Sequence, residues 1–511
     1  MKTNIYNYFE ETAQRCSGKT AVIEGDQSWT FGQLQQATQS LADSLLQMEM
    51  PPNAVIAVLL KKSFRTVVVD LAITGVGCAY MNLDVKSPAA RIEQILGVIC
   101  PALVITDSQG LALLEKIGGC AVPALDLDVF DPVEMGLPDP AGNPRDLRLA
   151  AIIDTDPYCV INTSGSTGIP KGVVLNHRSF VDFMQWSADV LDVDGSEVVG
   201  SLSPVIFDIF SYELCMLVFK GSTLCLLDER LSPYPFKILE NLEKDRVSYI
   251  FWVPTIMSNI ANMGLLEKFI LPDLKTVWFA GEVFPTVNFN KWFDRFPGVR
   301  FVNLYGPIEI TLDCTYYIVK DRIPDDRPIP MGYPCRNTAL LVLNDDGTEA
   351  LEGQIGELYV RGTSLAMGYY NNPEQTAKAF VQNPLNKRYP EILYKTGDLV
   401  MHQSGLYHFK GREDSMVKHL GYRIELADVE HSILSAIQAV KNVCVVYLHS
   451  RKEIIAYCEV REPLTPKVFR SCLSQRLPAY MIPSQMVEVE QMPMNANGKI
   501  DRLYFKRLAE G

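Results

Sequence analysis

The chain has 511 residues, 48% hydrophobic and 21% charged, and 47 basic against 60 acidic residues leave a formal charge of −13. That balance, with no Lys/Arg-rich stretch, argues against a nucleic-acid backbone as the main partner, and the length suffices for about three domains at roughly 150 residues each. Twelve cysteines spread from Cys16 to Cys472 without a CxxC pair, and six histidines form no HExxH, so neither set has zinc-site spacing and the cysteines read as core hydrophobes of a reducing compartment.

The N-terminal stretch MKTNIYNYFEETAQR is amphipathic and polar, unlike a signal peptide, and the apolar run from Ala54 to Leu60 stops at Lys61-Lys62. A cytoplasmic protein without a membrane span is expected. Further along, Tyr158–Asn162, Ser248–Val253, Thr276–Ala280 and Phe301–Leu304 read as buried strands, each followed by a turn or helix signal. This is the rhythm of an α/β fold. The run Thr276 to Ala280 is apolar on both faces, which suits a central strand covered on both sides.

The segment Leu406–Phe409 ends in a charged turn, Gly411-Arg412-Glu413-Asp414, and a new pattern follows. Helix Leu426–Ile437, strands Val443–Leu448 and Ile454–Val460, and helix Pro466–Leu477 suffice for a small α+β domain. The expected organisation is a large body of layered α/β sheets over 1–412 and a small C-terminal domain over 413–511. No internal repeat, low-complexity tract or long Gly/Ser linker interrupts the chain.

Chemistry is concentrated in Thr163-Ser164-Gly165-Ser166-Thr167-Gly168-Ile169-Pro170-Lys171-Gly172. Glycines let backbone N–H groups converge on an anion, hydroxyls add donors, and Lys171 adds charge, a set that suits a polyphosphate. Composition alone fits a flexible connection equally well, and Pro170 and Lys171 break the GxxxxGK[ST] spacing. In Phe207-Asp208-Ile209-Phe210-Ser211-Tyr212-Glu213 an acid stands among apolar residues, either as a helix N-cap or as a buried partner for a cation. A serine hydrolase reading fails for lack of GxSxG.

The string YCVINTSGSTGIPKG resembles the phosphate loop of the adenylate-forming (ANL) superfamily. Six further motifs of that family follow in order: NLYGPIEIT (303–311), GELYVRG (356–362), YKTGD (394–398), GREDSMVKHLGYRIE (411–425), LPAYMIP (477–483) and NGKIDR (497–502). Within the superfamily the chain resembles free-standing amino-acid adenylation domains of the nonribosomal peptide synthetase and D-alanine:carrier-protein ligase type. The resemblance implies that a carboxylate and ATP form an acyl-adenylate with release of pyrophosphate, and that a thiol then takes the acyl group. It implies ATP and Mg²⁺ as cofactors, with Thr163, Ser164, Gly165, Ser166, Thr167, Gly168 and Lys171 at the phosphates and Glu309 on the metal. Tyr305, beside Gly306, would stack on adenine, Asn303 would meet its polar edge, and Asp398 would accept the ribose hydroxyls with help from Arg412. The C-terminal domain would swing about Asp414 and present Lys499 to the carboxylate and α-phosphate.

The FDxS-type segment resembles that of amino-acid-activating members, where Asp208 would pair with the substrate ammonium. The pocket positions then fall on Asp208, Ile209, Tyr212, Phe251, Trp278, Ala280, Leu304, Leu312 and Asp313. Three large aromatics imply a compact side chain, α, β or D. Asp313 would bind a hydroxyl or a second amine, or face solvent. The family pattern is broken at Ile308, Met416 and Phe210, where Thr, Gln and Ser are usual.

The chain ends nine residues after Arg502 with no carrier region, so the expected partners are a small-molecule amino acid and a separate phosphopantetheinylated carrier protein, with no nucleic acid and no membrane. The alternatives are an acyl- or aryl-CoA ligase of the same superfamily, and a non-catalytic regulatory relative.

Overall fold

The computed structural model describes residues 2–117, 122–129, 144–163, 170–412, 416–493 and 500–510. Ser164, Gly165, Ser166, Thr167 and Gly168 of the glycine-rich loop, the expected hinge Asp414 and the expected catalytic Lys499 lie outside the described residues.

Two large sheets organise the N-terminal body. The first has nine described strands, and six of them run parallel at its centre, in the order Arg300–Tyr305, Thr276–Phe279, Tyr249–Trp252, Val198–Ser201, Thr223–Leu226 and Thr20–Glu24. The doubly apolar Thr276–Phe279 is central, as its sequence requires, with Trp278 opposite Phe251 and Val302. The second sheet, of seven described strands, carries a parallel set (Pro157–Thr163, Ala79–Asn82, Val55–Leu59, Leu103–Thr106, Ala124–Asp126) and an antiparallel edge through Lys171–Asn176. One large apolar cluster spans both sheets and the helices covering them.

A third, antiparallel sheet holds Ile355–Gly362, Ile392–Gln403 and Leu406–Arg412 over its own small apolar cluster. The hairpin Met416–His419/Tyr422–Glu425 comes next. Its two-residue turn, Leu420-Gly421, has positive φ at both positions (53° and 84°), the conformation that matches the twist of a tight hairpin. Beyond it, helix Leu426–Ala436 packs with the strands Val440–Leu448, Glu453–Val460 and Gln485–Val489. Apolar residues from Val417 onward cluster among themselves.

Eight of the eleven described cysteines are buried and none of the eleven is in a disulfide. Among the described residues, no helix is long and apolar enough to cross a membrane.

Candidate active site

Thr163 and Tyr305 end strands, and Glu309 follows the second of them, so these motif residues stand at strand ends, where α/β proteins place their ligand crevice. The glycine-rich loop is held between antiparallel strands, with Thr163 opposite Lys171. It therefore joins strand to strand, with Lys171 at the start of the second strand. The Lys171 ammonium lies 5.1 Å from the Tyr369 ring centroid.

Tyr369 donates its hydroxyl to Glu309 Oε1 at 2.8 Å. Glu309 lies in the 3₁₀ turn Ile308–Ile310, its side chain fully buried, and one guanidinium nitrogen of Arg423 donates to both of its oxygens at 2.9 and 2.7 Å. Burial pushes the Glu309 carboxyl up, but the Arg423 charge and the Tyr369 hydroxyl outweigh it, so the group lies below its usual range and stays ionised. A lone ionised carboxylate beside the anion loop fits Mg²⁺, which takes one or two carboxylates and completes its shell with phosphate and water oxygens. Among the described residues no group of three His, Cys, Asp or Glu side chains forms a metal cluster.

Nearby, Tyr305 donates its hydroxyl to Asp398 Oδ2, Arg412 donates to Oδ1, and Arg412 also reaches the Thr396 carbonyl at 3.1 Å. The register makes this possible, because Asp398 and Arg412 are opposite one another in adjacent strands. Asn303 turns its amide to the Pro330 carbonyl at 2.7 Å. Tyr305, Asp398 and Arg412 thus form one contact group, while Asn303 is engaged elsewhere.

Asp208 is the first residue of helix Asp208–Lys220, and the N-cap is Phe207, so the aspartate does not cap the helix. Burial raises its carboxyl to about 6, held back by the Ile209 N–H, the Lys418 charge and the Leu312 N–H. Tyr212, Phe251, Trp278, Ala280, Leu304 and Leu312 belong to one apolar cluster, with Ile209 packed against it. Tyr212 stacks on Trp278 at 5.2 Å and meets Phe251 edge-on at 5.7 Å.

Thr311 and Leu312 have consecutive positive φ (48° and 65°), a strain of about 1–3 kcal/mol each that the surroundings must hold. The bend brings Asp313 back over Gly306, where a Cβ would lie 2.2 Å from the Leu312 carbonyl oxygen, so only glycine fits. Asp313 is 4% exposed. It does not face solvent. Burial and the nearby Asp208 charge push its carboxyl well up, against the Lys418 charge.

The hairpin 416–425 reaches the same crevice. The Gly421 N–H donates to Glu282 Oε1 at 2.8 Å, the Tyr422 ring lies 5.0 Å from Phe207, and Lys418 influences Asp398, Asp313 and Asp208. A buried ion pair, Arg91 to Asp428 at 3.2 Å, and a hydrogen bond from Lys452 to Thr255 at 2.7 Å join the following segment to the body.

Residues 9–370 match the AMP-binding enzyme family. The chain belongs to that family. The AMP-binding enzyme is 31% identical to zwittermicin A synthase ZmaJ of Bacillus cereus over 512 aligned residues, covering 98% of this chain and 94% of that one. Several further synthases are matched over 98% of this chain, which spans only 6–44% of their own length. The fold is shared with the Vibrio cholerae adenylation domain AlmE in complex with glycyl-adenosine-5'-phosphate, at TM-score 0.85 and 21% identity over 100% of this chain and 98% of that one. It is shared also with NpsA-ThdA, an artificially fused adenylation-PCP di-domain from Klebsiella oxytoca, at TM-score 0.81 and 21% identity over 100% and 96%. The protein is thus an adenylate-forming, AMP-forming ligase of the peptide-synthetase adenylation type.

Sequence reasoning passed over Arg423, Lys418, Tyr369 and Glu282 in this AMP-binding enzyme. Arg423 and Lys418 stand inside a quoted motif, and only the packing of the hairpin against the body brings them to Glu309 and Asp398. Tyr369 and Glu282 carry no local signal.

Proposed function

We propose that the protein activates an amino acid with ATP and passes it to the phosphopantetheine thiol of a separate carrier protein. The observation that carries this reading is Asp208, a half-buried acid that opens the helix carrying Tyr212, beside the apolar cluster that also holds Phe251 and Trp278. A desolvated carboxylate there needs a cationic partner, which a substrate ammonium supplies and a fatty or aryl acid does not. AlmE with its glycyl adenylate and the adenylation-PCP pair NpsA-ThdA support the amino acid and the carrier respectively.

In the first step a substrate carboxylate oxygen attacks the α-phosphorus of ATP, the bond to the bridging oxygen breaks, and pyrophosphate leaves. Two anions must approach, so cations are placed around them. We assign Lys171 and the loop 163–168 to the phosphates, Tyr305 and Asp398 to the nucleoside with Arg412 fixing Asp398, and Lys499 to the charge that develops between carboxylate and α-phosphate. Mg²⁺ on Glu309, when bound, supplies neutralisation of the triphosphate. In the second step the thiolate sulfur attacks the acyl carbon, the acyl–oxygen bond breaks and AMP leaves.

Lys499 and the hairpin are taken to share the crevice in turn. A body ending at 412 and a domain from 413 onward, hinged at Asp414, let Lys499 serve the first step and the hairpin the second. The Arg423 contact with Glu309 supports assigning the arrangement described here to thiol transfer, because Glu309 is then engaged by a guanidinium.

Asp313 narrows the substrate. It is buried, and the Asp208 charge acts on it. Burial and the neighbouring Asp208 charge favour the neutral form of the Asp313 carboxyl, so a second substrate ammonium would find no ready counter-charge there. A hydroxyl adds no charge and still donates to Asp313, while the packed aromatics leave room only for a short side chain. The substrate is a compact hydroxyl-bearing amino acid. ATP–pyrophosphate exchange across α-, β- and D-amino acids and aryl acids tests the reading. Exchange with small hydroxy amino acids is expected, and exchange confined to aryl or fatty acids would overturn it.

A further inference from the structure

The turn that carries Asp208 is anchored from below by two charged side chains that no part of the mechanism uses. Lys62 follows strand Val55–Leu59 of the other large sheet, and its ammonium donates to the Ser201 carbonyl at 2.9 Å and the Ser203 carbonyl at 3.1 Å. Ser201 ends strand Val198–Ser201, and its hydroxyl donates to Glu213 Oε2 at 2.6 Å. Glu213, 0% exposed, sits in the helix that begins at Asp208, and its other oxygen has no hydrogen-bond partner among the described residues.

The segment 201–213 is therefore held at both ends, and Asp208 lies between. Lys62 fixes the two carbonyls where the strand releases the chain, and Glu213 ties the helix back to the same strand end. Burial lowers the Lys62 ammonium to about 8 and raises the Glu213 carboxyl to about 8, each opposed by the other's charge. A desolvated ammonium and carboxyl placed this way are weak devices for stability, since packed hydrophobic side chains of similar volume serve as well or better. What an ammonium on two carbonyls provides is direction and distance. Lys62 also lines a crevice of about 1010 Å³, bounded by Leu83, Asp84, Pro204 and Ile206 among others, so its surroundings on that side are open rather than packed.

We infer that Lys62 and Glu213 are positioning residues that set the place of Asp208 for the substrate ammonium. The inference rests on the reading of Asp208 given above. Neither side chain touches substrate. Both act through the backbone of 201–208, and a misplacement of about 1 Å at such a site costs about a hundredfold.

The test uses the full chain, with ATP–pyrophosphate exchange measured against L-serine and against ATP separately for Lys62→Met, Lys62→Arg, Glu213→Gln and Asp208→Asn. Lys62→Met and Glu213→Gln are expected to raise the KM for serine about tenfold or more while the KM for ATP stays within about twofold, and Lys62→Arg to recover most of the loss. A merely structural pair would lower the melting temperature or the active fraction without separating the two KM values. If Lys62→Met does not fold, the near-isosteric Glu213→Gln and the charge-preserving Lys62→Arg decide by the same split. An unchanged serine KM in folded Glu213→Gln, beside a raised one in Asp208→Asn, overturns the inference. An unchanged serine KM in Asp208→Asn overturns the reading of Asp208 itself.

Discussion

Arg423 donates from one guanidinium nitrogen to both oxygens of Glu309, at 2.7 and 2.9 Å, across 114 residues of sequence. Glu309 is fully buried and Arg423 is 16% exposed, so the pair is desolvated and loss of either partner strands the other. Removing one partner of such a pair costs about 3–5 kcal/mol. Arg423→Met should therefore disfavour the hairpin's seat in the crevice. Acyl transfer to a carrier thiol should fall by about a hundredfold or more, with pyrophosphate exchange retained. Lys499→Ala should do the reverse, losing exchange while still consuming a supplied acyl-adenylate. Single-turnover transfer and exchange, measured on both variants, separate the two; equal loss of both activities in Arg423→Met would show that the residue does not act on one step.

The raised Asp208 carboxyl gives a pH dependence with a definite sign. With its acid at about 6, Asp208 is mostly neutral below that pH and ionised above it. Pairing with an ammonium needs the ionised form, so kcat/KM for the amino acid should fall about tenfold per pH unit below 6, and Asp208→Asn should flatten that limb at a low value. Stability runs the other way. The folded chain keeps this proton to a higher pH than the unfolded one, so the stabilisation present below the unfolded value is lost as pH rises through about 6. Substrate-free Asp208→Asn should accordingly melt higher than the parent at pH 7.5, by on the order of 1–2 kcal/mol, as read by calorimetry. A lower melting point would mean that the charge is already satisfied in the empty pocket.

The central strands were legible because Thr276–Phe279 and its neighbours are apolar on both faces, a pattern that only a covered parallel sheet explains. Of the residues expected to line the pocket, Tyr212, Phe251, Trp278, Ala280, Leu304 and Leu312 belong to one large apolar cluster. What was not legible depends on packing between distant segments. Asp313 could be read as a solvent-facing strand end until the left-handed pair Thr311-Leu312 turned it inward. Arg423 and Lys418 stand in the motif 411–425 with no role read for them, since the residues around them do not announce Glu309 or Asp398. Lys62 gave no hint beyond ending an apolar run.

Asp313 should govern the choice between a hydroxyl and a methyl on the substrate. A buried carboxyl built to take a hydroxyl is left unpaired by the deoxy analogue, at a cost of about 1–3 kcal/mol or more. The parent should therefore prefer serine over alanine by at least about tenfold in exchange kcat/KM. Asp313→Ala should shrink that ratio toward one by losing serine and gaining alanine. If instead the preference survives in Asp313→Ala, recognition of the hydroxyl lies elsewhere in the pocket.

The pair Arg91–Asp428 supplies a last check on the proposed alternation. Asp428 is fully buried on the segment after the hairpin, and Arg91 reaches it from the body at 3.2 Å with only 8% exposure. Burial pushes the Asp428 carboxyl up against the pull of Arg91, so without that arginine it would be protonated or driven out to water. The pair belongs neither to the Tyr305–Asp398–Arg412 group nor to the apolar cluster around Tyr212. Arg91→Met should thus leave exchange within about twofold of the parent and slow transfer to a carrier thiol by about tenfold or more, since only the arrangement holding both residues together is weakened. Limited proteolysis should cut near residue 414 faster in the variant, because the contacts that seat the C-terminal segment on the body are reduced. Equal cleavage rates together with unchanged transfer would show that the ion pair does not bias the arrangement, and the hairpin's own contacts through Arg423 and Gly421 would then have to seat it alone.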